Sequence, residues 1–460
     1  MKRILPDFAG AIWATTNQSQ TSLAERAMTL FEQPVEYAPR EELRDVQLQK
    51  LRELFRVVFE RNRFYTEKWR EAGIAPGELG SLADLAKLPF THKSELVRAQ
   101  DEAPPFGTNA TFPAEAYSRV HQTSGTTGGP LRVVDTPESW EWWGRCWRFV
   151  LRGAGVTPSD RVLLPFSFGP FIGFWAAVEG IRQLGAMMIP GGGWDSLERL
   201  RMMRDLGATV ICCTPTYALR LAEVAREQEF EMRSIPVRAL IHAGEPGANV
   251  AQTKARIEAA WNAKCFDHAG ASEVGAHSFE CERQPKGIHV IESEFIPEVI
   301  DPETGKEMQP GETGELVITN LGRPGFPAIR YRTGDLVRLN LSPCACGRTF
   351  ARFDGGLLGR VDDMVTIRGV NVYPTAIENL IRQFSAVDEF QVRVKKRQEM
   401  GHLEVQIEVH SGSDAEDVRM RVEQAIYSAL SLRPTVTVAP AGALARFEMK
   451  ARRFQRLDQG

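Results

Sequence analysis

The sequence predicts an α/β protein with a large N-terminal domain, in which α/β layers continue into a β-barrel-like part, and a small α+β domain at the C-terminus. Three observations predict this architecture. Apolar runs of strand length alternate with helical patterns, strand-like runs separated by Gly and Pro turns follow between residues 288 and 340, and the pattern changes after the glycine-rich run 355–359. The 460 residues, 43% of them hydrophobic, suffice for two or more domains.

The first predicted element is an amphipathic helix within residues 41–60, because five apolar residues recur there at helical spacing. They are Leu51, Leu54, Phe55, Val58 and Phe59. Strand-length runs then occur at 161–164, 186–189, 209–213 and 237–242, and helical patterns at 171–184, 197–206 and 217–228. This alternation is typical of a mainly parallel sheet covered by helices.

A strand-rich part follows, and Gly and Pro turns separate its runs. The runs are 288–291, 295–300, 314–319 and 336–339. They predict a mainly antiparallel, barrel-like part. After the glycine-rich run come a helix face (Ile377, Leu380, Ile381 and Phe384), strand patterns at 387–394 and 403–409, a helix at 413–430 and a strand at 435–438. We therefore expect a large domain over residues 1–361 and a small one over 362–460.

The composition excludes several classes of protein. A net charge of −3 and a pI near 6.3 give no basic surface for nucleic acid. The most apolar segment, 171–181, is short and carries Glu179, so it does not predict a membrane span. The first residues lack an apolar core of signal-peptide length, and seven cysteines do not form an even disulfide framework. These features predict a cytoplasmic protein.

A glycine- and hydroxyl-rich stretch, TSGTTGGP at residues 123–130, is the most informative motif. Glycines let backbone N–H groups approach a ligand closely, and hydroxyls add donors, so the stretch is suited to phosphate oxygens. It is not a Walker A loop, because no Gly-Lys-Ser/Thr closes it. The candidate phosphate ligands are Ser124, Gly125, Thr126, Thr127 and Gly128.

Three further motifs follow in order. They are DHAGASE at 267–273, YRTGD at 331–335, and GRVD at 359–362 followed by IRGVN at 367–371. Each one alone is compatible with an ordinary turn. The order and spacing of the set resemble the adenylate-forming superfamily, and most closely the phenylacetate–CoA ligase family. The strings RYRTGD (330–335), IRGVNVYP (367–374) and CACGR (344–348) carry the resemblance, which runs from about residue 45 to the C-terminus.

The resemblance implies a reaction in two steps. A carboxylate attacks the α-phosphate of ATP to give an acyl-adenylate and pyrophosphate. The thiol of coenzyme A then displaces AMP to give a thioester. Because charge develops on the leaving pyrophosphate, Mg²⁺ and hydrogen-bond donors must meet it.

The resemblance also implies roles for individual residues. Glu273 matches the magnesium ligand, Ser272 contacts the α-phosphate, and the Asp335 carboxylate accepts hydrogen bonds from both ribose hydroxyls. The other residues that it assigns to the nucleotide are Gly244, Glu245 and Pro246 along the adenine, together with Asp267, His268 and Arg360.

A catalytic lysine and a hinge complete the implied machinery. Lys450, after Glu448 and Met449, matches the lysine that reaches the α-phosphate and the attacking carboxylate. Asp362 matches the hinge that turns the small domain away for the thioester step. The sequence departs from the family at Met449, where a glycine is usual.

Two other departures concern the nucleotide. The phosphate loop has Gly129 where lysine is common, which leaves more of the phosphate charge to the metal. Ala269 replaces the tyrosine that stacks on the adenine, which opens space beside the adenine or the acyl pocket.

Three cysteines and a histidine indicate a zinc site. Cys344 and Cys346 form a C-x-C turn, and Cys281 and His289 lie earlier. Thiolates with one imidazole suit a closed tetrahedral zinc site, which would be structural because no position stays open for water. His277, one helical turn before Cys281 in sequence spacing, is the alternative fourth ligand. Reduced, buried thiols without metal are the other interpretation.

An aromatic stretch, FSFGPFIGFW at 166–175, falls where the family lines its acid pocket. Aromatic side chains suit a flat aryl ring, and no Lys or Arg in the stretch indicates a second carboxylate. The candidate substrate contacts are Phe168, Phe171, Ile172, Ala269 and Gly270, although each could equally belong to the core. The tryptophans at 140, 142, 143 and 147 are interpreted as packing residues.

The leading hypothesis is therefore an ATP- and CoA-dependent ligase for a monocarboxylic aryl or arylacetic acid. One alternative keeps adenylation but transfers the acyl group to a carrier-protein thiol or an amine. Another is a non-catalytic nucleotide- or zinc-binding homologue. The sequence does not fix the acid or the oligomeric state, for which a homodimer is one arrangement.

Overall fold

The computed structural model describes residues 35–75, 79–123, 129–283, 286–363, 365–367, 370–397, 400–447 and 453–457. The predicted phosphate ligands, residues 124–128, and the predicted lysine, Lys450, lie outside these ranges. The described part contains ten α-helices and 20 strands, and the predicted fold class is confirmed. None of the described helices is long and apolar enough to cross a membrane.

The N-terminal part is helical and leads into a β-hairpin. Its elements are α1 (Arg40–Arg61), α2 (Arg63–Glu71), α3 (Lys93–Glu102), β1 (Arg119–Gln122), β2 (Arg132–Asp135) and α4 (Pro137–Gly153). Helix α1 buries four of the five apolar residues that predicted it, and Phe59 is only partly buried. Because β1 and β2 pair antiparallel, the predicted phosphate loop belongs to the connection of a hairpin.

Five parallel strands and four helices form the next part, as the alternation predicts. They are β3 (Arg161–Leu164), α5 (Trp175–Leu184), β4 (Met187–Pro190), α6 (Ser196–Asp205), β5 (Val210–Cys213), α7 (Pro215–Glu227), β6 (Ala239–His242), α8 (Ala251–Trp261) and β7 (Lys264–Ala271). The strand order is β4–β3–β5–β6–β7. Helix α5 begins only at Trp175 rather than at 171, because Pro170 and Gly173 disfavour helix in the preceding residues.

The parallel strands are buried on both faces. Val162 and Leu164 belong to the main core with α4 and α5, whereas Leu163 belongs to a second core with α6, α7 and α8. Cys212 and Cys213 divide between the two cores in the same way, because successive side chains of a strand point to opposite faces. The predicted buried strand at this point is confirmed.

Seven antiparallel strands extend the same sheet to 12 strands. They are β8 (Gly275–Glu280), β9 (Gly287–Val290), β10 (Phe295–Ile300), β11 (Thr313–Asn320), β12 (Tyr331–Asn340), β13 (Arg352–Asp354) and β14 (Gly359–Arg360). From β7 the order continues β8–β9–β13–β12–β11–β10, and β14 pairs with β12. The sheet therefore carries the motifs at 267–273 and 331–335 in one continuous layer.

The C-terminal residues build a separate hydrophobic core. Their elements are β15 (Val365–Ile367), β16 (Val370–Val372), α9 (Pro374–Ile381), β17 (Val387–Arg397), β18 (Met400–Val409), α10 (Ala415–Leu430), β19 (Thr435–Ala439) and β20 (Phe454–Leu457). Helix α9 ends before Phe384, which packs beside the core instead of on the helix. The sheet order is β19–β18–β17–β20, so the strand after Lys450 lies parallel to β17 at the edge.

Candidate active site

Two of the motifs predicted to bind nucleotide lie at the carboxyl ends of the parallel strands. Residues 244–246 follow β6 directly, and Ser272 and Glu273 follow β7. Asp267 in β7 is level with His242, the last residue of β6. In open α/β sheets ligands bind at this edge, so the fold brings the separate motifs to a common place.

Glu273 is a buried carboxylate that is paired with a lysine. Its side chain is 6% exposed, and Lys93 Nζ lies 2.6 Å from Glu273 Oε1. Lys93 is the first residue of α3, and Thr91, two residues earlier, is fixed to β12 by backbone hydrogen bonds with Arg330 and Arg332. A positive charge therefore already lies beside the acid that is predicted to bind magnesium.

The turn that carries Glu273 is held by a buried ion pair. Arg323 donates from Nη1 to the carbonyl oxygens of Ser272 (2.8 Å) and Glu273 (3.2 Å). Its Nε and Nη2 donate to both carboxylate oxygens of Asp135 at 2.6 and 2.7 Å, and both side chains are fully buried. Because a bidentate pair has a fixed geometry, the position of the Glu273 backbone is fixed as well.

Asp335 lies in β12, four residues after Tyr331. Burial raises the pKa of Asp335 to about 6, although the Arg360 guanidinium acts in the opposite direction. Burial and then the Glu273 carboxylate raise the pKa of Tyr331 well above its ordinary value, and Asp335 adds to this effect. The Tyr331 hydroxyl is therefore neutral, and both carboxylates act on it.

Arg360 joins Asp335, the acid predicted to bind the ribose, to Asp362 at the predicted hinge. Its Nη1 donates to Asp335 Oδ1 at 2.9 Å, and its Nε donates to Asp362 Oδ1 at 2.9 Å. Gly334 has a φ of +76°, and a Cβ there would lie 2.8 Å from Arg360 Nη2, so only glycine fits. The glycine of the Thr-Gly-Asp turn therefore leaves space for the Arg360 guanidinium beside the Asp335 carboxylate.

Asp267 lies against the glycine-rich segment before the hinge. A Cβ on Gly356 would be 3.0 Å from Asp267 Oδ2. Asn249 fixes the same segment, because its Nδ2 donates to the carbonyl oxygen of Leu357 at 2.6 Å. Burial raises the pKa of Asp267 to about 6, and Lys254 opposes this shift.

His268, Ala269 and Gly270 differ in burial. Burial lowers the pKa of His268 to about 4, so its imidazole is neutral at pH 7, and Nδ1–H donates to the carbonyl oxygen of Ser278 at 2.7 Å. The ring packs against Trp147 with centroids 4.6 Å apart. Ala269 is buried in the main core, and Gly270 is exposed. His268 therefore has a packing role in addition to the predicted one.

The turn predicted to lie along the adenine is tied to helix α7. Gly244 and Pro246 are exposed, whereas Glu245 Oε1 accepts a hydrogen bond from the backbone N of Thr216 at 2.8 Å. Thr216 is in the first turn of α7, where backbone N–H groups have no partner within the helix. Glu245 thus caps the helix and fixes the turn.

Helix α3 also supports the phosphate hairpin. Thr123 donates from its backbone N to the carbonyl oxygen of Leu131 at 2.9 Å, which closes the described base of the hairpin. Gln100 of α3 accepts from the backbone N of Arg132 at 2.7 Å and donates to the carbonyl oxygen of Pro130 at 3.2 Å. One helix therefore contacts both the hairpin and Glu273.

Aromatic side chains after β3 form an edge-to-face cluster. Phe166 lies 5.3 Å from Phe168 and 5.7 Å from Phe174, and Phe168 lies 4.7 Å from Trp175, between ring centroids. Phe168 has a φ of 50°, a strained conformation for a residue with a side chain. Phe168 is half-buried, so one part of its surface remains available to a ligand.

Two other predicted substrate contacts lie in the same loop. Phe171 is half-buried, whereas Ile172 is buried in the main core. The tryptophans of α4 are buried as well, in agreement with the packing role predicted for them. The surface that remains for an acid is therefore mainly aromatic.

The four residues predicted for zinc come together. The ligand atoms of Cys281, His289, Cys344 and Cys346 all lie within 4.8 Å of one another. Cys281 Sγ is 3.7 Å from Cys344 Sγ, and Cys346 Sγ is 3.4 Å from His289 Nε2. With zinc–ligand bonds of 2.3 Å to sulfur and 2.0–2.1 Å to nitrogen, a tetrahedron needs about 3.8 and about 3.6 Å for these separations.

The imidazole of His289 is oriented for such a site. Its Nδ1 lies 3.1 Å from the carbonyl oxygen of Phe350, so Nδ1 carries the proton and Nε2 faces the sulfurs. His277 is not part of the group, and its Nδ1 contacts Ser278 Oγ at 2.6 Å. Because residues 275–280 form strand β8, four residues separate His277 from Cys281 by about 13 Å instead of one helical turn.

Four residues of the site are absent from the sequence prediction. Three of them, Lys93, Arg323 and Asp135, lie in no recognised motif, because their partners are 180 or 188 residues away in the sequence. The fourth, Tyr331, is within the string RYRTGD, but nothing in the string indicates that the Glu273 carboxylate acts on its hydroxyl.

Comparisons with known proteins agree with this geometry. The model of the AMP-binding enzyme family matches residues 79–322, and that of the AMP-binding enzyme C-terminal domain matches residues 369–457. The phenylacetate–coenzyme A ligase of Thermus thermophilus is 34% identical over 383 residues, which cover 83% of this chain and 84% of that protein.

Solved structures of 2-hydroxyisobutyryl-CoA ligase are also similar. The form described as the postadenylation state, with an acyl-AMP bound, has a TM-score of 0.87 at 30% identity and covers 92% of this chain and 91% of that one. The form in the thioesterification state, with acyl-AMP and CoA, has a TM-score of 0.70 at 31% identity and the same coverage. The arrangement described here is therefore closer to the former. From the two family matches and these relatives, the chain belongs to the AMP-binding enzymes of the adenylate-forming superfamily and is a relative of the phenylacetate–coenzyme A ligases.

Proposed function

We propose that this chain is an AMP-forming acid–CoA ligase that acts on an aryl or arylacetic acid. The observation that carries the proposal is that two acids, the buried Glu273 and the half-buried Asp335, both raise the pKa of Tyr331, and that helix α3 contacts both Glu273 and the hairpin of the phosphate loop. Glu273 suits a metal ion that neutralises phosphate charge, and Asp335 suits the two hydroxyls of a ribose. An adenosine triphosphate has both groups at the corresponding ends.

The first step would join the acid to AMP. A carboxylate oxygen of the acid attacks the α-phosphorus, and the bond to the pyrophosphate oxygen breaks. The backbone and hydroxyls of residues 124–128 hold the β- and γ-phosphates, Ser272 contacts the α-phosphate, and Lys450 neutralises the attacking carboxylate and the α-phosphate. Residues 244–246, Asp267 and His268 surround the adenine, as the resemblance implies.

Glu273 fits a magnesium ion. Mg²⁺ in such enzymes is bound by one or two carboxylates and by substrate phosphates, and Glu273 supplies one carboxylate at the correct edge of the sheet. When bound, the ion supplies positive charge to the phosphate oxygens. Lys93 is the cation that pairs with the same carboxylate in the structure.

The second step would form the thioester. The sulfur of coenzyme A attacks the acyl carbonyl carbon, and AMP leaves with the bonding electron pair. We assign the hinge to Asp362, between a large domain over residues 1–361 and a small domain over 362–460. Relatives that are themselves named as CoA ligases favour coenzyme A over a carrier protein or an amine as acceptor.

The aromatic cluster supports an aryl acid. The rings of Phe166, Phe168, Phe174 and Trp175 already contact one another edge to face, which is the favourable geometry for a further ring. A half-buried Phe168 leaves room for that ring at the edge of the cluster. The acid would then lie between the cluster and the phosphate hairpin, because Gln122 of the hairpin donates to the carbonyl oxygen of Pro170 at 2.9 Å.

A structural zinc ion is a second proposal for the Cys281–His289–Cys344–Cys346 group. The Cys281–Cys344 sulfur–sulfur and the Cys346–His289 sulfur–nitrogen separations fit a tetrahedron to about 0.2 Å, and all four ligand atoms lie within 4.8 Å of one another. Four protein ligands leave no open position, so zinc would tie the β8–β9 strands to the β12–β13 connection and take no part in the reaction.

A pyrophosphate-release screen tests the function. Purified protein is mixed with ATP, Mg²⁺ and a panel of aryl, arylacetic and short aliphatic acids, with and without CoA. We expect AMP and an aryl-CoA thioester only with an aromatic acid and CoA. The proposal would be contradicted if none of the acids in the panel gave pyrophosphate. Rapid AMP release that does not depend on CoA would contradict it as well.

Lys450→Ala separates the two half-reactions. We expect it to abolish acyl-AMP formation and to leave thioester formation from supplied acyl-AMP intact. Arg452→Ala, two residues away, is the control for a general effect on the basic segment. An equal loss of both half-reactions in Lys450→Ala would mean that the lysine does not act in the first step.

A further inference from the structure

Two arginines flank the predicted catalytic lysine in the sequence, and the side chains of both form hydrogen bonds with carboxylates in the structure. Arg446 precedes Lys450 by four residues, and Arg453 follows it by three. An extended chain spans at most about 3.6 Å per residue, so these arginines restrict the lysine to within about 11–14 Å of their own Cα atoms. Whatever fixes Arg446 and Arg453 therefore limits where Lys450 can reach.

Arg453 bridges the two parts of the chain. Its guanidinium donates to both carboxylate oxygens of Glu389 in β17, at 2.6 and 3.0 Å. Its Nη1 donates to Thr216 Oγ1, in the first turn of α7, at 3.2 Å. The backbone oxygen of Arg453 also accepts from Val392 at 2.7 Å, which fixes the start of β20.

Arg446 makes a similar bridge on the other side. Its Nη2 donates to Glu408 Oε2 of β18 at 2.6 Å, and its Nε lies 3.6 Å from Glu223 Oε2, also on α7. The Glu223 side chain is only 21% exposed, and it contacts Arg220 at 3.2 Å as well. Each arginine thus binds a carboxylate of the small domain and an oxygen of the same helix of the large domain.

Helix α7 in turn contacts the proposed adenine turn. The backbone N of Thr216 donates to Glu245, between Gly244 and Pro246. The contact chain therefore runs from the turn of the nucleotide site through Thr216 to Arg453. Beyond Glu245, its residues have no contact with substrate in the proposed function.

We propose that Thr216 and Glu223 are positioning residues for adenylation, which hold Arg453 and Arg446 so that the segment between them delivers Lys450 to the α-phosphate. The inference rests on the proposed function, because it assigns these contacts to one of its two half-reactions. The arrangement in which these contacts form is more similar to the postadenylation state of 2-hydroxyisobutyryl-CoA ligase, with a TM-score of 0.87, than to its thioesterification state, with a TM-score of 0.70. We therefore expect the thioester step, in which the small domain turns away, not to use them.

The contact between Arg446 and Glu223 is weak enough to break and form again when the small domain moves. Glu223 and Arg446 are both partly exposed, at 21% and 27%, and their closest atoms are 3.6 Å apart. A partly exposed pair of this kind is weak, so it biases the orientation of the small domain without locking it. A misplacement of about 1 Å at a reacting centre is nevertheless enough to slow catalysis substantially.

The test compares the two half-reactions in four variants. Phenylacetate with ATP and Mg²⁺ gives the rate of adenylation, and supplied phenylacetyl-AMP with CoA gives the rate of thioester formation. For Glu223→Gln and Thr216→Val we expect adenylation to fall about fivefold, with thioester formation within about twofold of wild type. Glu223→Lys repels Arg446, and we expect its adenylation rate to fall more than about tenfold.

Glu227→Gln is the matched control, because Glu227 is on the same helix, is half exposed and pairs with Arg220, which belongs to the large domain. It should leave both rates unchanged. An unchanged adenylation rate in Glu223→Lys, or an equal loss in both half-reactions, would overturn the inference. The proposed function would still stand in that case, provided that the wild-type protein is active. A wild-type protein that adenylates no acid would instead contradict the proposed function itself.

Discussion

Lys93 Nζ lies 2.6 Å from Glu273 Oε1, although the two residues are 180 positions apart in the sequence. The same helix, α3, holds the base of the phosphate hairpin through Gln100. Lys93 therefore supplies a positive charge that Gly129 does not supply in the phosphate loop, and this charge lies beside Glu273, the acid predicted to bind magnesium. A buried carboxylate needs such a partner whenever no metal is bound to it.

The first prediction concerns Lys93→Met. In EDTA this change leaves the Glu273 carboxylate buried without its cation, and we expect the free energy of unfolding to fall by about 1–3 kcal/mol. Mg²⁺ should recover part of the loss, because an ion that binds only the folded state stabilises it. Chemical denaturation with EDTA and with Mg²⁺ measures both effects.

Arg98→Met is the control for this prediction, because Arg98 lies on the same helix and is 69% exposed. A surface change of this kind should alter stability by less than about 0.5 kcal/mol. If Mg²⁺ stabilises Lys93→Met no more than wild type, Glu273 is not the metal ligand.

The second prediction is a pH dependence of ATP binding. Asp335 must be ionised to accept the ribose hydroxyls, and its pKa is raised to about 6 by burial. We therefore expect the KM for ATP to rise as the pH falls through about 6, by up to about tenfold per pH unit below it. Because the folded-state pKa exceeds that of the unfolded chain, the charged Asp335 reduces stability above pH 6, and this penalty is relieved as the pH falls toward 3.8.

Arg360→Met tests the origin of the shift. The guanidinium opposes the burial effect, so its removal should move the inflection of the KM profile to a higher pH. Arg338→Met, on the same strand but in contact only with Thr313 at 3.3 Å, should leave the profile unchanged. Identical profiles in all three proteins would show that Asp335 does not control ATP binding.

The third prediction concerns the metal group. We expect elemental analysis of the purified protein to give about one zinc per chain. His289→Gln should lose the metal, whereas His277→Gln should retain it, because only His289 Nε2 faces the sulfurs. Zinc near zero in the undamaged wild type, or loss of zinc in both variants, would contradict the proposed ligand set.

Local patterns predicted much of this fold. Strands 161–164 and 295–300 occur at the predicted residues, because a strand buried in a sheet is a continuous or alternating apolar run that its own sequence contains. The clustering of Cys281, His289, Cys344 and Cys346 was predictable for another reason. Thiol and imidazole side chains are few, so a tetrahedral set can be composed from their identities alone.

Contacts across the fold could not be predicted in the same way. Arg323 and Asp135 are separated by 188 residues, and the choice of this pair depends on which strands and helices become neighbours. The choice between His277 and His289 required the knowledge that residues 275–280 form a strand. The start of α5 at Trp175 depended on how a proline and a glycine compete with the apolar pattern.

The last prediction concerns Phe168 and the choice of acid. Phe168→Ala keeps the strained backbone at φ 50° but removes the ring that lies 4.7 Å from Trp175 and 5.3 Å from Phe166. Loss of a ring contact of about 1.5–3 kcal/mol should lower kcat/KM for an arylacetic acid by about 10- to 100-fold. A short aliphatic acid does not reach the ring, so its kcat/KM should change little. Phe230→Ala, a half-buried phenylalanine beside the other core, is the control. An equal loss for aryl and aliphatic acids would mean that Phe168 shapes the loop and not the specificity for the acid.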